Sequence, residues 1–405
     1  MLCVSPILPT VDDKLTDVPY TYGWSTPLQH AAGLGIVANG VRARRLAAGL
    51  SQQTLAERGV ITRQAIHAIE TGQYVPNTVV ALRLAQALGC SVESLFWLPD
   101  EPVRLLAELI GDDLAGDAQP RRVQVARVGD RLLANPLQGS VATVTAADGL
   151  ATSTDQQASV ELMIDPELVE HAVVVCGCDP ALALLGAHLS RRYPAFRLVW
   201  APRSSLRALR ALGRGEAHIA GTHLRDPATG ECNVPYVRRE LPGQNLVVIT
   251  LSEWQQGLIV AAGNPKAITD AGDLGRPDVT LVNRELGSGS RMLLDAWLVE
   301  AGIPSERVRG FAREVSTHQA VADAVAAGAA DTGPGILAVA RALGLGFVPL
   351  QAERYDLVIP QIYLGTAPVQ ALLDVAVAGP YRRELAALGG YDSTGAGTVV
   401  AELAS

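Results

Sequence analysis

The chain has 405 residues, of which 48 % are hydrophobic and only 4 % aromatic. That length holds two or three domains, with cores built from Ala, Val and Leu rather than from rings. The formal net charge of −8 excludes a chain coated along its length by nucleic acid or anionic lipid, but it leaves room for one basic module.

Cys3, Cys90, Cys176, Cys178 and Cys232 are an odd set for a disulfide framework, and Cys176-Gly-Cys178 lacks CxxC spacing. Buried, reduced thiols are expected. No apolar run approaches the ~18 residues that span a bilayer. The opening MLCVSPILPTVDDKL has no basic start and meets Pro and Asp early, so it reads poorly as a signal peptide and a cytoplasmic protein is expected.

Residues 1–38 carry Pro6, Pro9, Pro19 and Pro27 without a clear period, and a loose extension is predicted. Residues 39–98 are densely helical. Ser51 precedes QQTLAER, Thr62 precedes RQAIHAIE, and Gly59-Val60-Ile61 makes a tight turn between them. Leu46, Leu50, Leu55, Ala56, Ile61, Ile66, Ile69, Leu84, Leu88, Val92 and Leu95 supply one small core. Residues 39–72 hold Arg42, Arg44, Arg45, Arg58 and Arg63 against Glu57 and Glu70, so this module is locally basic, as a phosphate-facing surface must be.

Two short helices joined by a short turn are the helix-turn-helix plan, whose second helix enters the major groove. The blocks GLSQQTLAE, ITRQAIHAIETG and ALRLAQALGCSVESLF resemble the Cro/repressor family of the xenobiotic-response-element type. That resemblance implies a DNA-contacting set of Arg42, Gln52, Thr62, Arg63, Gln64, His67 and Asn77. Arg63 and Gln64 would face base edges, where Arg suits guanine and Gln suits adenine. Ala68 stands where related repressors often place a longer polar reader.

Residues 99–165 are predicted as a helix and linker over 99–120, then a β-rich coupling segment. There VQVARV and RLLANPL flank Gly129-Asp130 as a hairpin. From 166 to 405, short apolar runs alternate with helical patterns, the signature of an α/β domain with a mostly parallel sheet. AVVVC, RLVW and AHIAG lead into NLVVITL, QGLIVAAG, VTLV, FVPL and YDLVIP.

The loops that open these helices carry the chemistry. Cys178 and Asp179, Ser204 and Ser205, Thr222 and His223, Ser288-Gly289-Ser290-Arg291, Thr317, and Thr332-Gly333 all fall at strand ends or helix starts. One Ser before a helix is usually only a cap. Together these turns describe a pocket rich in hydroxyl and amide donors, which suits an anion. No GxxxxGK[ST], GxSxG or HExxH pattern occurs, so neither an enzyme nor a metal site is expected.

The blocks GCDPALALL, QGLIVAAGNPKAI, DLGRPDVTLVNRELGSGSRMLLD, GAADTGPGI and LGLGFVPLQAERYDLVIP resemble the molybdate-binding-like domain family, of the two-lobed, type II periplasmic-binding-protein plan. Its implied lobes are 170–250 with 355–400, and 262–350, crossed by QGLIVAAGNP and RYDLVIP. The resemblance implies molybdate or tungstate as ligand. Fully deprotonated molybdate only accepts hydrogen bonds, whereas hydrogen phosphate also needs an acceptor. Asp179 and Asp331 keep phosphate open, and Arg291, His223 and Asn233 would equally suit a larger anionic metabolite, such as a pterin-linked one.

The modules joined imply a multidomain, one-component transcription regulator. An all-α helix-turn-helix domain would bind operator DNA as a homodimer, and a two-lobed α/β domain would sense a small oxyanion. The alternative is a non-regulatory binding or storage protein for an oxyanion or molybdenum-cofactor precursor.

Overall fold

The computed structural model describes residues 37–98, 102–111, 119–139, 142–152 and 157–404. The extension expected over 1–38 lies outside the described residues, except for its last two. The chain divides into two compact units, Met1–Glu101 and Pro102–Ser405. Among the described residues no helix is long and apolar enough to cross a membrane.

Among its described residues the first unit has four helices, α1 (Val41–Ala47), α2 (Gln52–Gly59), α3 (Arg63–Glu70) and α4 (Thr78–Leu88). Side-chain caps set three of their starts. Ser51 Oγ accepts from the Thr54 N–H, Thr62 Oγ1 from that of Ala65, and Asn77 Oδ1 from that of Val80. α2 ends on Val60 in the left-handed region at φ 55°, which turns the chain sharply into α3. Val41, Leu55, Ile66, Ile69, Leu84 and Leu95 form the fully buried centre. Leu46, expected in this core, is 59 % exposed. Seven-residue α1 turns Val41 and Arg45 inward instead. Arg45 can be buried because its guanidinium meets Glu70 at 2.6 Å.

The second unit begins with a closed five-stranded barrel. Its strands are Arg104–Leu109, Arg121–Val128, Arg131–Pro136, Gly149–Thr152 and Gln157–Leu162. The helix expected within 99–120 is therefore corrected to a strand over 104–109. Ala107 and Leu109 are buried while Leu106 is 75 % exposed, a period of two. Closure comes from pairing this strand with Gln157–Leu162. The predicted hairpin is present: Val128 pairs with Arg131 across a turn in which Gly129 takes φ 59°.

The remainder is two lobes on one mixed sheet. In the first lobe the strands Ala172–Cys176, Arg197–Ala201 and Ile219–Thr222 are parallel, with helices Ala181–Arg192 and Ser205–Gly213 between them. Two 15-residue strands, Leu246–Val260 and Gly346–Pro360, run antiparallel through both lobes. The mostly parallel sheet expected from the sequence is corrected here, because these crossing strands and Thr332–Ile336 pair antiparallel. NLVVITL and QGLIVAAG are one strand. The polar stretch between them lies at the crossing, where Ser252 and Gln256 are buried and the ladder shifts register at Thr250/Ser252 and Gln256/Gly257. The second lobe packs helix Gly289–Glu300 against Leu258, Leu274, Leu281 and Val308, and carries helix His318–Ala326.

The barrel is fastened to the first lobe by two charged contacts, one half-exposed at Arg131 and one largely buried at Arg197. Arg131 joins Glu108 at 2.6 Å and donates to the Arg214 carbonyl at 2.6 Å. Arg197 meets Asp148 at 2.6 Å.

Candidate functional site

The first candidate surface is α3. Arg63, Gln64 and His67 are exposed along it, with Thr62 exposed at its cap. Arg42 and Asn77 are exposed on α1 and before α4. Gln52 is only half-buried and its amide donates to Glu70 at 2.8 Å. It therefore completes the Arg45–Glu70 network, which fixes α1, α2 and α3 together. Removing that pair from the charge count leaves exposed Arg42, Arg44, Arg58 and Arg63 against exposed Glu57, so the surface keeps its positive excess.

The second candidate site lies between the lobes. Loops of the first lobe bring in Cys178, Asp179, Ser204, Ser205, Thr222 and His223, all buried. The second lobe faces them with Arg284, Gly289, Ser290 and His318, and the crossing strand adds Glu353 and Tyr355. The lobes touch: the Leu206 N–H donates to the Gly287 carbonyl at 3.3 Å, and Arg207 meets Glu285 at 3.4 Å. Gly289 lies so close to His223 that a Cβ there would overlap its carbonyl oxygen and its ring. Only glycine permits this approach.

His223 Nδ1 bonds Glu353 Oε2 at 2.8 Å, and its ring stacks on Tyr355 with centroids 6.0 Å apart. Burial opposes charge on this imidazole, but Cys178 and Glu353 outweigh it and raise the group to about 10. His318 is pushed well below the ordinary value by burial, with Arg284 and His223 adding to it. Burial lifts Asp179 to about 6, against the hydrogen bonds from Tyr391 and the Ala181 N–H.

Many polar groups in this cluster have no protein hydrogen-bond partner. They are Ser204 Oγ, Thr222 Oγ1, His223 Nε2, both nitrogens of His318, Tyr355 Oη, and Arg284 Nε and Nη1. Arg284 is fully buried, and its guanidinium donates from Nη2 to the Ser316 carbonyl at 3.0 Å. Such groups cost about 1–3 kcal/mol each when left unsatisfied, which makes this cluster the candidate ligand site.

Other residues predicted from the sequence have structural duties. Ser205 Oγ accepts from the His223 N–H at 3.2 Å. Ser290 donates to Gln256 at 3.1 Å. Ser288 and Thr317 cap their helices. Thr332 donates to the Ile259 carbonyl at 2.9 Å and Gly333 packs under Val282. Arg291, expected in the pocket, is satisfied elsewhere: it pairs with Asp295 at 3.0 Å and Glu314 at 2.9 Å, and lies over Phe311. The unpaired guanidinium belongs to Arg284, seven residues earlier. Asn233 fastens the loop after His223, accepting from the Leu224 N–H and donating to Asp356. Asp331 accepts from the Thr280 N–H at 2.8 Å.

A small cavity lined by Cys178 and His318 shares Trp200, Pro202, Arg203, Ser316 and Thr317 with a wider cleft of about 360 Å³. Barrel residues Gln124, Asn135 and Gln138 wall the outer side of that cleft.

Comparisons with known proteins match segments of both units. A family profile described as a helix-turn-helix matches residues 41–95, and one described as a PBP superfamily domain matches residues 186–377. The uncharacterized protein YvgK of Bacillus subtilis (strain 168) is 34 % identical over 230 residues, covering 57 % of this chain and 74 % of that protein. The chain belongs to one family with YvgK, and it carries a PBP superfamily domain and a helix-turn-helix domain. An uncharacterized HTH-type transcriptional regulator of the same organism, YgzD, is 41 % identical over 63 residues, 16 % of this chain and 96 % of that one. Among solved structures, the sulfate-binding protein SubI from Mycobacterium tuberculosis H37Rv aligns at TM-score 0.41 and 14 % identity, covering 56 % of this chain and 88 % of that chain. The match to the PBP superfamily begins after Cys178 and Asp179 but spans the other inter-lobe residues.

Sequence reasoning missed Arg284, His318, Glu353 and Tyr355. Arg284 and Glu353 lie within strands and His318 is the first residue of a helix. The signal open to it was YDLVIP, read as a crossing strand, whose flanking residues must face the gap between the lobes.

Proposed function

We propose that this helix-turn-helix regulator binds operator DNA through α3 and senses a small oxyanion, of the molybdate or tungstate type, gripped between its two lobes. The observation that carries the ligand class is Arg284. It is a fully buried guanidinium with two unpartnered nitrogens, and the buried hydroxyls of Ser204 and Thr222 in the first lobe are unpartnered as well. A buried cation without a carboxylate partner costs several kcal/mol, by an order-of-magnitude estimate, and an anion removes that cost. The set is rich in donors. Its free acceptor is Asp179 Oδ2, which keeps hydrogen phosphate as the competitor to test.

In this reading the anion contacts both lobes and so favours the closed arrangement. Operator binding by Arg63, Gln64 and His67, with Arg42, Thr62 and Asn77 on the backbone, is the expected output. Inside the cell is where such a protein meets DNA. A homodimer follows from the usual pairing of half-sites one DNA turn apart. Val79 and Leu82, one turn apart on α4 and each 56 % exposed, are apolar surface available for it.

The test is calorimetric titration of the full chain with molybdate, tungstate, sulfate and phosphate. Saturable binding of molybdate or tungstate at one per chain, tighter than phosphate, is expected. Binding of none of the four contradicts the oxyanion reading.

A further inference from the structure

We infer that Cys178, His223 and His318 form a site for one divalent transition metal ion of the zinc type, and that this ion ties the two lobes together.

The three residues are far apart in the chain and share no motif, yet their ligating atoms all lie within 4.8 Å of one another. All three are buried, His223 and His318 at 1 % exposure. His223 Nε2 and both nitrogens of His318 have no protein hydrogen-bond partner. A buried imidazole with both nitrogens unpartnered is costly, and coordination satisfies one of them. Oxyanion binding by Arg284 and the hydroxyls does not by itself explain a thiol in this position.

Glu353 supplies the independent support. Its carboxylate holds His223 Nδ1 at 2.8 Å, which makes Nδ1 the donor and leaves the Nε2 lone pair facing Cys178 and His318. A carboxylate behind an imidazole is how proteins orient metal-binding histidines and raise their basicity. One thiolate with two imidazoles is a borderline-soft donor set. It selects Zn²⁺, Co²⁺ or Ni²⁺ over Mg²⁺ or Ca²⁺.

Zn–N and Zn–S bond lengths put tetrahedral ligand atoms roughly 3.3–3.6 Å apart, so separations of up to 4.8 Å close by at most about 1.5 Å on binding. The movement has a direction. Cys178 and His223 belong to the first lobe and His318 to the second, so contraction draws the lobes together. Three protein ligands leave a fourth position open, with Arg284 beside it. Only the assignment of that fourth position to an oxyanion rests on the proposed function.

The test uses the full chain, stripped of metal and titrated with Co²⁺. One ion per chain is expected, with tetrahedral visible bands, a near-ultraviolet thiolate-to-cobalt band, and displacement by Zn²⁺. Cys178→Ser should lose the thiolate band, whereas Cys90→Ser should keep it. Glu353→Gln, which leaves all three ligands in place, should weaken Co²⁺ by about 10- to 100-fold and keep the band at saturation. Circular dichroism identifies any variant that fails to fold, and Glu353→Gln then carries the test. Absence of the band from the folded wild-type chain, or unchanged Co²⁺ affinity in folded Cys178→Ser, overturns the inference. Molybdate titrations run on the stripped chain separate the two readings. Molybdate binding without a cobalt band sinks the metal site alone, and a cobalt band without molybdate binding sinks the oxyanion reading alone.

Discussion

Replacing Arg284 by Met should stabilise the ligand-free protein and abolish its response to oxyanion. The wild-type guanidinium is fully buried, and burial lowers its affinity for its proton. Two of its nitrogens have no partner. Exchanging a buried ionic group for an apolar side chain of similar length gains about 1–4 kcal/mol. The lost hydrogen bond to Ser316 returns about 1 kcal/mol of that, and exposed Ser316 can take water instead. The net gain of about 0–3 kcal/mol corresponds to an increase in Tm of up to roughly 5 °C for the unit Pro102–Ser405. Differential scanning calorimetry of the full chain in oxyanion-free buffer reads it from the transition of the α/β domain. In the wild type, molybdate at a hundred times Kd should add about 2.7 kcal/mol; in Arg284→Met it should add nothing. A variant destabilised in oxyanion-free buffer, or one still stabilised by molybdate, would refute the reasoning that Arg284 is held in strain for an anion.

Gly289→Ala should weaken oxyanion binding about 5- to 150-fold, because overpacking of about 1–3 kcal/mol falls on the lobe contact with His223; an isotherm identical to wild type would show that the lobes do not close through this contact. His218 accepts from the Val174 N–H at 3.0 Å, and burial lowers it from 6.5 to about 4. The unfolded chain therefore takes up this proton first, so stability is fully present above pH 6.5 and falls as pH drops towards 4. The total is about 3 kcal/mol at ~1.4 kcal/mol per pH unit. Urea unfolding at pH 5 and pH 7 should show a smaller difference in His218→Gln than in wild type, and equal differences would contradict the assignment. Arg63→Ala combined with Gln64→Ala should lower specific DNA affinity at least about 30-fold, from ~1–3 kcal/mol per paired base contact. Fluorescence anisotropy with a DNA fragment selected by the wild-type chain measures this, and unchanged affinity would remove α3 from the interface.

The legible parts of the chain are those whose causes are local. Ser51, Thr62 and Asn77 sit immediately before the helices they cap, so the helical unit follows from adjacent residues. Ser204, Thr222 and His223 were readable because strand ends and helix starts gather at one edge of an α/β sheet. Arg45 was misplaced because its burial depends on Glu70, which no local pattern reveals. The strand at 104–109 was missed for a similar reason: RLLAEL tolerates either structure, and barrel closure with 157–162 decides it. Arg291 and Arg284 show the same limit within one short segment. Both are arginines beside a glycine-serine turn, and only the positions of Asp295 and Glu314 determine which charge is already balanced. Cys178, His223 and His318 meet through tertiary folding alone, so motif spacing could not bring them together.

The central claim is that an anion between the lobes controls DNA binding. The most direct measurement is the affinity of the full chain for its selected DNA fragment with and without molybdate, at fixed salt, in wild type and in Arg284→Met. A change of about 5- to 150-fold is expected in wild type, the usual range of coupling between two sites, and none in the variant. Equal affinity with and without molybdate, tungstate, sulfate and phosphate in the wild-type chain would contradict it.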